Sequence, residues 1–231
     1  MKFKKPVLEI QPTTLWDYPS QHYGRGMQGR ADYKGATPSY VIWNLLKRYT
    51  REGDVVVDPF CGSGTTLDVC TDLDRRGKGF DLQRIHPEVE IADARALPIA
   101  DESVDFVFAD PPYSTNLKYS DDDRCIGKLS AYRSGYFEAM GEVFDEIHRV
   151  LKPKRYLGIY VCDCYSKKDG FVPIGSMLQL MLSERFKLID HISVVRRNKQ
   201  LKQGNRRAAT LKSNSFMRGF NHLIIAKKDV G

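Results

Sequence analysis

Residues 55–66 have the sequence Val-Val-Val-Asp-Pro-Phe-Cys-Gly-Ser-Gly-Thr-Thr, and the architecture of the chain can be predicted outward from them. The three valines predict a short buried strand that stops at Asp58-Pro59. Gly62 and Gly64 allow a tight turn and let the backbone approach a ligand without a Cβ in the way. A helix predicted from about Thr65 to Leu73 then presents its free N–H groups to that turn.

The glycine-rich turn differs from two common nucleotide-binding loops. Leu67 stands where the third glycine of a GxGxxG dinucleotide motif would be, and no lysine follows Gly64 as it would in a phosphate loop. The turn therefore predicts a ligand at the end of the strand without identifying it.

Strands and helices alternate on both sides of this stretch. Before it, Thr37 is predicted to cap a helix that starts at Pro38 and runs to about Thr50. After it, helices are predicted from about 137 to 151 and from 174 to 182, and strands at 77–81, 89–92, 104–109, 156–162, 186–195 and 220–226. This alternation predicts an α/β fold with a mostly parallel seven-stranded sheet, helices on both faces, and a hairpin-like end.

Length and composition predict a single domain. The apolar residues of 1–36 show no helical or strand periodicity, so we interpret this stretch as an irregular N-terminal arm. We interpret residues 37–231 as one domain. No run of 18 apolar residues could span a membrane, and no apolar stretch of a secretory signal follows the basic N-terminus. Five cysteines without CxxC spacing favour reduced core thiols in a cytoplasmic protein over a metal site.

The excess of positive charge in the chain is confined to one segment. The 36 Lys and Arg residues exceed the 29 Asp and Glu residues by seven, and eight of the basic residues lie between positions 196 and 218, where there is no acid. The remainder, with 28 basic and 29 acidic residues, is almost balanced. We expect this segment to be a loop that contacts nucleic acid through Arg196, Arg197, Lys199, Lys202, Arg206, Arg207, Lys212 and Arg218.

Carboxylates follow successive predicted strands. Asp58 ends the first strand, Asp81 the second, and Asp93-Ala94 follows the third. Each acid by itself is more often a turn or cap residue. Together, at the carboxyl edge of a parallel sheet where ligands bind, they favour a ligand site, and a carboxylate such as Asp81 can accept hydrogen bonds from a ribose diol.

The fourth strand ends at Asp110-Pro111-Pro112-Tyr113. A proline-stiffened turn would explain the prolines but not the flanking acid and tyrosine. Because prolines have no N–H, their carbonyls can point into a site as acceptors. A carboxylate and a proline carbonyl can hold both hydrogens of an aromatic amine, while a tyrosine ring stacks on the base. The tetrapeptide therefore predicts chemistry at an exocyclic amino group.

Asp58-Pro-Phe-Cys-Gly-Ser-Gly-Thr-Thr66 and Asp110-Pro-Pro-Tyr113 resemble the S-adenosylmethionine and catalytic motifs of the DNA adenine-N6/cytosine-N4 amino-methyltransferases, and the similarity extends from about Gly35 to Lys228. The resemblance implies a class I, Rossmann-like methyltransferase sheet with a reversed last strand. It implies catalysis by Asp110, Pro111, Pro112 and Tyr113 on a base flipped from its stack, with no metal. It also implies that S-adenosyl-L-methionine is held by Asp58, Pro59, Phe60, Cys61, Gly62, Ser63, Gly64, Thr65, Thr66, Asp81, Asp93 and Ala94.

Many members of that family carry a distinct target-recognition domain, for which 231 residues leave little room. The candidate recognition elements are Ser114–Tyr136, which includes the acids Asp121–Asp123, and the basic segment, in which amides and Phe216 are interleaved with the cations.

Within the family that these motifs resemble, an aspartate in the tetrapeptide favours adenine N6 over cytosine N4 as the target, and the resemblance implies DNA rather than RNA as the substrate. Two alternatives stay open: an RNA methyltransferase acting on guanine N2 or adenine N6, and a non-catalytic nucleic-acid-binding protein on the same scaffold. A homodimer and a restriction or accessory partner are also left open, whereas no membrane partner is expected.

Overall fold

The structure is a computed structural model that describes residues 5–30, 32–33, 35–197 and 199–230, with the side chains of Asn116, Lys199 and Gln200 outside the description. Its strands are β1 Leu15–Trp16, β2 Val55–Asp58, β3 Arg76–Asp81, β4 Val89–Ile91, β5 Val104–Ala109, β6 Leu151–Val161, β7 Cys164–Ser166, β8 Gly170–Val172, β9 Lys187–Val195 and β10 Phe220–Lys227. Its α-helices are α1 Ser39–Tyr49, α2 Thr65–Asp72, α3 Ser134–Val150, α4 Ile174–Ser183 and α5 Gly204–Lys212.

The main sheet has eight strands in the order β1-β9-β10-β6-β5-β2-β3-β4, and β7 and β8 form a separate hairpin. β10 is antiparallel to both of its neighbours, β9 and β6, whereas the other adjacent pairs are parallel. The predicted α/β class and the reversed last strand are confirmed. The predicted count of seven strands is too low by one.

The additional strand comes from the N-terminal arm, which was expected to be irregular. Leu15 and Trp16 pair with Ser193 and Val194 of β9, so the arm extends the edge of the sheet. Trp16 is buried beside Val194 and Leu223, and its indole N–H donates to the Thr13 carbonyl. A strand of two residues carries no alternation that sequence inspection could detect.

Side chains alternate between two apolar cores, one on each face of the sheet. In β5, Val107 packs in one core and Phe106 and Phe108 in the other. Helices α3 and α4 cover the first core, and α1, α2 and β1 contribute to the second. Val56 and Val57 of β2 divide between the two cores in the same way, which explains why these central strands could be recognised from short apolar runs.

The carboxyl edge of the sheet collects the chemically distinctive residues. Strand order reverses between β2 and β5, so Asp58 at the end of β2 and Asp110 just after β5 emerge side by side. Because β9 runs in the same direction as β6, the connection from β9 to β10 leaves from this edge as well. That connection was predicted as a loop, but it contains a 3₁₀ turn at Lys199–Lys202 and helix α5.

All five cysteines are buried and none forms a disulfide. In the described part of the chain, no helix combines the length and the apolar character needed to cross a membrane.

Trp16 and Leu15 provide a test of whether the arm belongs to the folded core. Trp16 is 2% exposed and Leu15 is 62% exposed. Trp16→Ala should lower the free energy of unfolding by about 3–5 kcal/mol because it empties a core position. Leu15→Ala should change it by less than about 0.5 kcal/mol. Urea unfolding of the two variants makes the comparison, and equally small losses would show that the arm is not part of the core.

Candidate active site

A cavity of about 920 Å³ opens at the carboxyl edge of the sheet. Its wall is built from the glycine-rich turn, the ends of β2, β3 and β5, the last residues of the arm, and the basic segment. It brings together the following residues singled out from the sequence: Asp58, Pro59, Phe60, Cys61, Gly62, Ser63, Thr65, Thr66, Asp81, Asp93, Ala94, Asp110, Pro111, Pro112, Tyr113, Arg196, Arg206 and Arg218.

The two glycines of the turn are required by its geometry. Gly62 and Gly64 have φ values of +46° and +81°, in the left-handed region that favours glycine. A Cβ at Gly62 would lie 2.7 Å from the Tyr33 hydroxyl oxygen, and a Cβ at Gly64 would lie 2.5 Å from Cγ of His86. Gly64 precedes the first residue of α2 and does not itself line the cavity.

Asp58 and Asp81 are held by neutral donors. Asp58 accepts hydrogen bonds from the Thr66 hydroxyl and, at 2.9 Å, from the Phe60 N–H. Asp81 accepts from the Gly62 N–H at 3.0 Å. Burial raises the pKa of Asp81, and it raises that of Asp58 to about 7. Neither carboxylate pairs with a Lys or Arg of the described chain, so a cationic ligand in the cavity would stabilise their ionised forms.

Asp93 has a different environment, because it is paired with Arg95. The guanidinium donates to both carboxylate oxygens, at 2.9 and 2.7 Å. Burial acts to raise the pKa of Asp93, but the hydrogen bonds and charge of Arg95 outweigh it, and the pKa lies below its ordinary value. Asp93 is therefore ionised and oriented without any ligand.

Asp110 is held by two hydroxyl groups. Tyr113 donates to its Oδ1 atom and Thr37 donates to its Oδ2 atom. Burial raises the pKa of Asp110 to about 7, although both hydrogen bonds act to lower it. Thr37 was predicted to cap α1, but that helix begins after Pro38 without a side-chain cap. The Thr37 hydroxyl instead donates its hydrogen bond to the Asp110 carboxylate.

The prolines after Asp110 present two different carbonyl groups. The Pro112 carbonyl accepts a hydrogen bond from the buried Tyr136 hydroxyl at 2.9 Å. The Pro111 carbonyl receives no hydrogen bond from the described residues and remains available as an acceptor beside Asp110. The next backbone N–H, of Tyr113, donates to the Tyr119 hydroxyl at 3.2 Å, which anchors the turn.

Three of the eight cations predicted to contact nucleic acid line the cavity. Arg196, Arg206 and Arg218 line the cavity, and Arg196 donates to the Cys162 sulfur at 3.1 Å. Arg197 is turned away and forms an ion pair with Asp17 of the arm. The side chain of Lys199 lies outside the description, and the remaining exposed cations are Lys202, Arg207 and Lys212.

The acidic run in the second candidate recognition element is neutralised locally. Asp121 pairs with Lys118, Asp122 with Arg124, and Asp123 with Lys128. The segment therefore does not present an uncompensated negative patch, and Arg124 and Ser120 line the cavity.

Sequence inspection missed several wall residues because their signals are not local. Tyr33, Gly35 and Ala36 belong to the arm, which has no period, and Asp163 and Tyr165 follow β6 without a recognisable motif. Asp163 accepts hydrogen bonds from the Gly175 N–H at 3.0 Å and from the buried His222 ring at 3.0 Å. Within the described residues, no group of three or more His, Cys, Asp and Glu side chains could hold a metal ion.

The reversed β10 beside β6 and the glycine turn after β2 define a class I methyltransferase fold. A SAM-dependent methyltransferase from Methanosarcina mazei shares it with a TM-score of 0.54 and 15% identity, over 81% of this chain and 98% of the other. The [4+2]-cyclase SpnF shares it with a TM-score of 0.57 and 17% identity, over 90% and 89% of the two chains. At these identities the likeness establishes the fold alone.

The chain belongs to the N6/N4 methyltransferase family, whose model, described as DNA methylase, matches residues 4–89 and 104–228. It is 32% identical over 78 residues to the type II methyltransferase M.HpaI of Haemophilus parainfluenzae, covering 34% of this chain and 24% of that protein. It is 28% identical over 97 residues to M.ScaI of Streptomyces caespitosus, covering 41% and 32%. The matched part thus spans a third or less of the length of these relatives.

The raised pKa of Asp110 predicts a pH-dependent cost in stability. Between about pH 4 and pH 7 the folded protein retains a proton that the unfolded chain has lost, so the free energy of unfolding falls as pH rises through this window. Asp110→Asn removes that cost. Its Tm should exceed the wild-type value at pH 8 by at least about 2–4 °C, equivalent to about 1 kcal/mol, and the difference should shrink towards pH 5.

Asp105, in β5, is the matched control for this measurement. It is buried and bonded to Lys152 at 2.8 Å and to Arg155 at 2.9 Å, and these cations outweigh the effect of burial, so its pKa is lowered. Asp105→Asn should therefore destabilise the protein at pH 8. A destabilised Asp110→Asn variant at pH 8 would contradict the electrostatic description of the cavity.

Proposed function

We propose that this chain is an S-adenosylmethionine-dependent methyltransferase that methylates the exocyclic amino group of a base in DNA, with adenine N6 preferred to cytosine N4. The observation that carries the proposal is the placement of Asp110-Pro111-Pro112-Tyr113 and the glycine turn on neighbouring strand ends, in one cavity. Membership of a family described as DNA methylase supports DNA as the substrate.

The cavity fits the proposed cofactor in charge. Asp58, Asp81 and Asp110 line it and are carboxylates without a cationic partner in the described chain. Bound S-adenosylmethionine would supply a methyl group on a positively charged sulfur. Residues 58–64 would hold its methionine end, Asp81 its ribose hydroxyls, and Asp93 with Ala94 its adenine.

Asp110 and Pro111 would act on the target amine. The carboxylate and the Pro111 carbonyl accept its two N–H groups, which frees the nitrogen lone pair from the ring and stabilises the positive charge that develops on nitrogen. Methyl transfer would break the carbon–sulfur bond and form a carbon–nitrogen bond, after which the nitrogen would have to lose a proton. The pKa of Asp110, about 7 in the free protein, suits this carboxylate to accept that proton near neutral pH.

The hydroxyl groups around Asp110 would position it for this role. Thr37 donates to Oδ2 of Asp110 and Tyr113 donates to Oδ1. When a base enters, the Tyr113 ring would stack on it. The group that stacks on the base, Tyr113, and the group that accepts from the amine, Asp110, belong to the same turn of the chain and are joined by a hydrogen bond.

A base paired within a duplex cannot reach Asp110, so the target must be flipped out of the stack. The basic segment, 196–218, would hold the phosphate backbone around it. We infer that residues 37–231 act as one catalytic domain, to which the arm adds an edge strand and part of the cavity wall. Association with a second copy or with a restriction partner stays a prediction.

The proposal is tested by transfer of a tritiated methyl group from S-adenosylmethionine to DNA, tRNA and rRNA, followed by nucleoside analysis. We expect N6-methyladenine in DNA. Asp110→Ala should reduce the rate at least about 100-fold because it removes the acceptor that stabilises the transition state. Asp101→Ala, at an exposed aspartate paired with Arg149, is the control and should leave the rate unchanged. Label confined to RNA would overturn the proposal that DNA is the substrate. Failure of calorimetry to detect binding of S-adenosylmethionine would overturn the proposal that the chain is a methyltransferase.

The role of the basic segment is tested separately by DNA affinity. The double variant Arg206→Ala/Arg207→Ala should bind duplex DNA more weakly, and the slope of log K against log salt should decrease in magnitude by about two, one unit for each lost phosphate contact. Cofactor affinity should not change. Lys47→Ala/Arg48→Ala removes the same charge from the exposed end of α1 and should leave the slope near the wild-type value. Identical slopes in the two double variants would exclude a specific contact by the segment.

A further inference from the structure

Phe216 is a highly exposed aromatic residue at the rim of the cavity. It lies between α5 and β10, is 82% exposed, and contributes to the wall of the cavity that contains Asp110. Phe171, the next most exposed aromatic residue of the described chain, is 51% exposed and does not line the cavity. A single exposed apolar residue is common on protein surfaces, so exposure alone implies nothing.

The backbone that carries Phe216 is held on both sides. Asn214, two residues after the end of α5, is in the left-handed region with φ of +48°, and the Ser215 N–H donates to the Thr210 carbonyl at 3.1 Å. On the other side, the Arg218 guanidinium donates to the Phe216 carbonyl at 2.7 Å and lies 5.0 Å from the centre of the Phe171 ring. The main chain is fixed while the ring projects into solvent, so inserting the ring into a partner would require little further ordering of the backbone.

The surroundings of the ring identify the partner. Lys212 precedes Phe216 and Arg218 follows it, and no acid occurs between positions 196 and 218. Cations suit a phosphate backbone, whereas an uncharged aromatic ring between them suits the stacked bases that the backbone encloses. Two other exposed apolar side chains, Leu117 and Tyr165, also line the cavity, so the rim combines apolar and cationic groups.

We propose that Phe216 inserts into the base stack at the position that the target base vacates, and so holds the duplex open while the flipped base occupies the cavity. The inference rests on the proposed function and deepens it. Flipping a base costs stacking and pairing energy, and an inserted ring restores part of the stacking. In this arrangement, Tyr113 would contact the flipped base inside the cavity and Phe216 the stack outside it.

Phe216→Ala tests the inference, with Leu211→Ala as the matched control. Leu211 lies in the same basic segment and is 80% exposed, but it does not line the cavity. The substrates are a duplex oligonucleotide carrying the mapped target base in a normal pair, the same duplex with a mismatch opposite that base, and the single strand. Rates are measured in single turnovers, and flipping is measured by the fluorescence of 2-aminopurine at the target position.

On the matched duplex, Phe216→Ala should lower the single-turnover rate and the flipped fraction by about 10- to 100-fold, the range expected for loss of one stacking contact. The defect should largely disappear on the mismatched duplex and on the single strand, where flipping costs less. Leu211→Ala should match the wild type throughout. Phe216→Trp should retain activity, and its fluorescence should be quenched when duplex is bound.

Equal rates for Phe216→Ala and the wild type on the matched duplex would overturn the inference, and so would an equal loss on all three substrates. Neither result would be confused with failure of the proposed function, because in that case the wild type itself would methylate none of the DNA substrates. An unquenched Phe216→Trp on bound duplex would exclude insertion directly.

Discussion

Three carboxylates emerge from adjacent strand ends into one cavity, where no cation of the described chain neutralises them. Asp58, Asp81 and Asp110 are held by hydroxyl and N–H donors, and burial raises the pKa of each. Two local features supply these carboxylates with donors. The left-handed turn places the Gly62 N–H against Asp81, and the Thr37 hydroxyl, just before α1, donates to Asp110. From these pKa shifts we expect the arrangement to lower stability as pH rises towards neutral, and a cationic ligand in the cavity would offset that cost.

The reversed strand explains how the opposite charge reaches the same place. The carboxylates belong to β2, β3 and β5 on one side of β6, whereas the cations belong to the connection between β9 and β10 on the other side. Because β10 runs antiparallel to β6, its first residues lie at the carboxyl edge, and the basic segment is delivered to the rim of the cavity. With a parallel β10, the connection would leave β9 at the same edge but would have to cross to the opposite edge before β10 began. The topology therefore separates an acidic interior from a basic rim on which a polyanion could lie.

Local patterns predicted most of the fold because they reflect local physics. The apolar residues of β2 and β5 alternate between two covered faces, and Gly62 and Gly64 occupy positions whose φ values favour glycine. Three expectations were wrong for equally physical reasons. Strand β1 has only two residues, and α5 has no buried face that would create a helical period. Thr37 matches the pattern of a helix cap, but its hydrogen-bond partner, Asp110, lies 73 residues away in the chain.

The order of residues along the chain was sufficient to predict most strands of the main sheet, the glycine-rich turn, the tetrapeptide at Asp110 and the concentration of excess charge in 196–218, because each is a property of neighbouring residues. The tertiary structure alone decided that the arm completes the sheet and the cavity wall, that Asp93 is already bound by Arg95, and that only part of the basic segment faces the site. The first and last of these features depend on contacts between groups that are far apart in sequence, whereas the pairing of Asp93 with Arg95, only two residues on, depends on side-chain conformations that the residue order does not specify. Burial, which sets the pKa values of Asp58 and Asp110, arises only when the elements pack together.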